Sequence, residues 1–208
     1  RKIIPEEQLN EAAAQQYTQM MGQAQQKGVL LPPSHPEVQR WFDQGLMLTY
    51  GFNHDAAERT YLKATELDPE CAMCWWGAAL VLGPHVNGGM DPANNQKAWQ
   101  RLQRAIELAP RASEREQAFI RALSARFAEN PPDDRRPLDE AYAKATGQLV
   151  AARPDDLDAA AFHAEALMDL QPWDYYDEQL QPKGNTAQIV SLLLPDQVDA
   201  TVIYYGTV

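Results

Sequence analysis

Cysteine is scarce, with two in 208 residues. A chain of this length with 45% hydrophobic residues buries a core without disulfides, so a small disulfide-bound scaffold is excluded. Positive charge is also short: 18 Lys and Arg stand against 29 Asp and Glu, for a net charge of -11 at pH 7. Non-specific nucleic-acid binders and anionic-membrane binders need the opposite sign, which argues against both partners. Long apolar runs are missing. The longest, Ala72 to Gly83, falls short of the roughly 20 residues of a membrane span. Missing too are a Gly-rich phosphate loop, a Ser-centred elbow and an H-E-x-x-H zinc motif, so no catalytic constellation supports an enzyme. The first residue is Arg1 rather than Met, which points to a processed product or a piece of a longer chain. With the abundance of Gln and Asn, it favours a periplasmic or exported setting over a cytoplasmic one.

What is present is a repeat. Counting 34 residues from Val38, Trp41 falls at the fourth place, Gly45 at the eighth, Leu48 at the eleventh, Ala57 at the twentieth, Tyr61 at the twenty-fourth, Ala64 at the twenty-seventh and Pro69 at the thirty-second. The large fourth residue packs on a neighbouring helix, the small eighth and twentieth residues allow close approach, and Pro69 stops the second helix. A second copy runs from Ala72 with Trp75 at the fourth place. It is interrupted by the turn-rich insertion 83–92 and resumes through Ala98, Leu102, Ala105 and Pro110. A third copy spans Ser113 to Pro154 with a break at Asn130-Pro131-Pro132, and a fourth opens at Ala159 and ends in a helix over Thr186 to Leu194.

This spacing resembles the tetratricopeptide repeat. The resemblance implies an all-α solenoid of helical hairpins with a concave, partner-binding groove. The strings D-P-E-C-A-M-C-W-W-G, L-G-P-H-V-N and F-H-A-E-A-L-M-D-L-Q-P-W-D-Y-Y are similar to a bacterial group of larger tetratricopeptide proteins. Those continue with further hairpins, so remaining C-terminal repeats of a longer chain are an expected neighbour. The runs A-A-A-Q-Q-Y and K-G-V-L, followed by H-P-E-V-Q-R, also resemble a segment that precedes the catalytic domain of some bacterial zinc metallopeptidases, without their chemistry. Three regions follow: residues 1–35 as an amino-terminal capping helix (Pro5 to Gly28) and Pro-rich linker, 36–194 as the repeat domain, and 195–208 as an irregular or strand-like tail.

The pair Cys71 and Cys74 has C-x-x-C spacing. A haem site is excluded because Trp75, not His, follows the second Cys, and a thioredoxin motif lacks its βαβ setting. A local disulfide, two reduced thiols, a residual redox role and a soft-metal site remain. In the metal reading, copper or zinc is held by Cys71 and Cys74 with His85 and Met90 as further ligands.

In the repeat register Trp75 packs inward, while Phe42, Leu46, Trp76 and His163 face the concave groove and anchor a partner. The ordinary alternatives are that other parts of the chain cover these aromatics and that His163 is a satisfied structural histidine. Glu165 and Asp169 share a helix face four residues apart, and His163 lies off it. The leading expectation is a scaffold that binds a protein or peptide in this groove. The second is a small-molecule or metal binder built on the Cys71/Cys74 region and the 83–92 loop.

Overall fold

The computed structural model describes residues 36–194. The amino-terminal helix and the strand-like segment 198–205 expected from sequence lie outside the described residues. Within them the fold is all-α, with eight helices: α1 Pro36–Tyr50, α2 His54–Leu67, α3 Ala72–Leu80, α4 Asn95–Leu108, α5 Glu114–Leu123, α6 Arg136–Ala152, α7 Leu157–Asp169 and α8 Thr186–Leu193. Extended pairing among the described residues is confined to two isolated bridges, His85 with Gly88 and Tyr176 with Pro182.

Local chemistry sets many of these boundaries. Pro36 opens α1, where its missing N–H costs nothing. Phe52, with φ 55°, breaks the chain between α1 and α2 in the left-handed region. Ser113 and Glu116 form a reciprocal capping box at the start of α5, each satisfying a backbone N–H of the other. Asp156 caps α7 by accepting from the Ala159 N–H at 3.2 Å.

The helices pack as consecutive pairs, α1 with α2, α3 with α4, α5 with α6 and α7 with α8, and each pair packs on the next. The odd-numbered helices also meet one another, α1 with α3 and α3 with α5. Val38, Ala57, Tyr61 and Ala64, all fully buried, hold the first pair together and against α3. Gly45 is needed there because a Cβ would stand 2.7 Å from Tyr61 Cε1. The main core runs from Trp76 and Leu80 through Leu102, Phe119, Ile120 and Leu123 to Phe162 and Ile189.

Candidate functional site

The repeat register puts Phe42, Leu46, Trp76 and His163 on one open face. The structure divides them and closes that face. Trp76 on α3 is only 2% exposed, and its indole Nε1–H donates to the Phe119 carbonyl of α5 at 3.2 Å. Its ring meets Phe119 and Phe162 edge-on, at centroid separations of 5.8 and 5.5 Å, and Tyr50 of α1 stacks on Phe162 at 5.6 Å. Four odd-numbered helices thus meet through aromatic rings, and the protein's own side chains fill the expected groove. A charged clamp holds the closure. Arg115 binds Asp156 at 2.7 and 2.8 Å and Asp158 at 2.7 Å, lies 4.7 Å over the Phe119 ring, and Asp158 accepts from the Tyr50 hydroxyl.

Two assignments are corrected by this packing. Trp75, expected inside, is the half-buried member of its pair, and its indole N–H donates to the Pro69 carbonyl at 3.0 Å. His163 is 5% exposed and faces α6 and α8 instead of the aromatic face. Its Nδ1 lies 3.0 Å from the Thr146 hydroxyl, which donates to the Tyr142 and Ala143 carbonyls, and its Nε2 lies 3.1 Å from the Gln188 amide nitrogen. The neutral ring protonated on Nδ1 satisfies both contacts, and burial pulls its pKa down. Phe162 takes the place beside Trp76 that the register gives to His163. One residue is about 100° of helix, so a slip of one place between degenerate copies exchanges core and groove. Phe42 and Leu46 are half-buried, Phe42 tilted against Tyr61 at 5.7 Å and both packed on the main core.

Arg126, just past α5, is the largest fully buried side chain among the described residues, at 1% exposure. It donates to Asp169 Oδ2 at 2.6 Å and to the Pro84 carbonyl at 2.5 Å, and its guanidinium covers the Tyr142 ring at 4.4 Å. Arg135 donates to the Arg126 carbonyl at 2.9 Å and pairs with Asp139 at 3.7 Å. Burial raises the pKa of Asp169 to about 7, with Arg126 opposing, and raises Glu165 and Asp139 for the same first reason. Burial pulls Arg126 down, but Tyr142, Asp169, Glu165 and Asp139 outweigh that and keep it protonated. A Cβ on Gly83 would lie 3.1 Å from Arg126 Nε, so this network is packed solid against the 83–92 loop. Its chemistry is that of a fastener.

The same loop carries His85, stacked on His54 at the start of α2 with ring centroids 4.4 Å apart. Burial and then His85 lower His54 to about 4, while burial and then Arg126 lower His85. The four residues of the metal reading are not assembled as one donor set. Cys71 and Cys74 are joined as a disulfide at the start of α3, whereas His85 follows that helix's other end and Met90 packs on the main core. Six further helical residues at about 1.5 Å each separate Cys74 from that other end. Among the described residues no three His, Cys, Asp or Glu side chains gather as a metal site.

A cleft of about 750 Å³ lies between α5 and α6. It is lined by the small or apolar Ala118, Ala122, Ala145, Leu149 and Ala152 and by the polar Glu114, Gln117, Arg121, Gln148 and Arg153. On each helix these recur at three- and four-residue spacing, one face per helix. The signal in the sequence was a stripe of alanines in the third copy. No helix among the described residues is long and apolar enough to cross a membrane. No family model matches the chain, and no curated protein matches it.

Proposed function

We propose that the chain is a tetratricopeptide-like scaffold whose α5–α6 cleft, and not the aromatic face, receives a segment of a protein partner. The repeat spacing from Val38 and the pairwise packing of the helices support the scaffold reading. The observation that carries the docking reading is the composition of the cleft. Alanines leave room for incoming side chains, glutamines offer donors and acceptors to a peptide backbone, and two arginines against one glutamate make a positive lining on an acidic chain. The segment it fits is therefore short, partly apolar and acidic.

Photo-crosslinking tests this. Benzoylphenylalanine placed at Gln117 and Gln148 should trap the same partner peptide, and placed at Glu107, exposed on α4, should not. Trapping at Glu107 alone, or equally at all three positions, would contradict the assignment.

A further inference from the structure

The docking role leaves the Cys71–Cys74 disulfide without a use. A bridge between residues three apart closes one of the smallest loops, and the stabilisation from restricting the unfolded chain grows with loop length. A bond kept for stability alone is poorly placed here. The two sulfurs also differ. Cys71 is the N-cap of α3 and partly exposed, whereas Cys74 is fully buried with Val38 of α1 and Ala64 of α2. The Cys74 backbone N–H donates to Cys71 Sγ at 3.1 Å, so the amino end of α3 is directed at that sulfur. A capping position of this kind favours a thiolate. Asp68 and Glu70 precede it and act in the opposite sense. The Asp68 carboxylate accepts from the Glu70 N–H, and Glu70 is ion-paired with Arg111.

We propose that Cys71 and Cys74 form an exchangeable dithiol–disulfide pair in which Cys71 is the sulfur attacked by an external thiol. The thiolate of a dithiol reductant attacks Cys71 Sγ, the Cys71–Cys74 bond breaks, and Cys74 leaves as a thiolate and takes up a proton. The reductant's second thiolate then attacks its own sulfur in the mixed disulfide, closing a reductant disulfide and releasing Cys71 as a thiolate. Two electrons pass from the dithiol to the pair. The sulfurs then separate inside the cluster of Val38, Ala64 and Trp41, so the junction of α1, α2 and α3 responds to the redox state.

The experiment treats the oxidised wild-type chain with glutathione, quenches with an alkylating agent and maps the adduct. The proposal expects mixed disulfide on Cys71 in about tenfold or greater excess over Cys74, and reduction by millimolar dithiothreitol in native buffer with a change in Trp fluorescence. An adduct on Cys74, an even distribution, or a bond reduced only in denaturant would overturn it. Single-thiol variants add a second readout. The thiol left in Cys74→Ala should titrate below the ordinary value of about 8.5, by thiolate absorbance, and react faster than the thiol left in Cys71→Ala. If the variants fail to fold, the wild-type adduct map still decides.

Discussion

The ring of Tyr61 fills the space that a Cβ on Gly45 would need, at 2.7 Å from Cε1, and it does the same at Gly77 on the next pair. One tyrosine of α2 therefore sets the approach of both α1 and α3. Gly45→Leu should destabilise the chain by about 1–3 kcal/mol or more through overpacking, read as a lowered thermal midpoint. An unchanged midpoint would mean that Tyr61 does not fill this space.

The two adjacent tryptophans separate the aromatic closure from an open groove. Trp76→Ala should cost about 3–5 kcal/mol, since it empties the junction of α3, α5 and α7 and removes the indole N–H bond to the Phe119 carbonyl. Trp75→Ala, at a half-buried position, should cost clearly less in denaturant unfolding. The reverse order would restore the groove.

These two sites show what was legible in the sequence. The spacing from Val38 picks out Gly45 as a small residue at a close helix approach, whereas the ring that meets it, Tyr61 sixteen residues on, is seen only in the fold. The facing of Trp76 and His163 depends on register between degenerate copies, where a shift of one residue changes the face. The Arg126 network joins residues 42 and 43 apart in sequence, and nothing local at Arg126 announces Pro84 or Asp169 as its partner. The α5–α6 cleft is visible only once two alanine-bearing faces are brought together.

Arg126→Met should cost about 3–5 kcal/mol by denaturant titration, because it strips the counter-charge from buried carboxyls. Arg126→Met combined with Asp169→Leu should recover much of that loss. A double variant as unstable as the sum of the two singles would show that the pair is not coupled.

Two groups make stability depend on pH in opposite directions. His54 is held at about 4, below its unfolded value near 6.5, so its contribution is present above about pH 6.5 and is lost as pH falls toward 4. Replacing it with Phe should remove a loss on the order of 1–2 kcal/mol over that window, allowing for its partial exposure. Asp169 is raised to about 7 from an unfolded value near 4, so its protonated form contributes at low pH and that contribution is lost as pH rises from about 4 to 7. Asp169→Asn should flatten this second trend. Thermal midpoints across pH 4–8 check both, and identical slopes in wild type and variants would contradict the assigned burial.

The docking cleft is tested most directly by calorimetric titration of the crosslinked partner segment, made as a synthetic peptide, into wild type and three variants. Arg121→Glu should weaken binding about tenfold or more by reversing a lining charge, and Ala118→Trp should abolish it by filling the cleft. Trp173→Ala, at an exposed position after α7, should bind as wild type does. Equal affinity for wild type, Arg121→Glu and Ala118→Trp would contradict the cleft as the binding site.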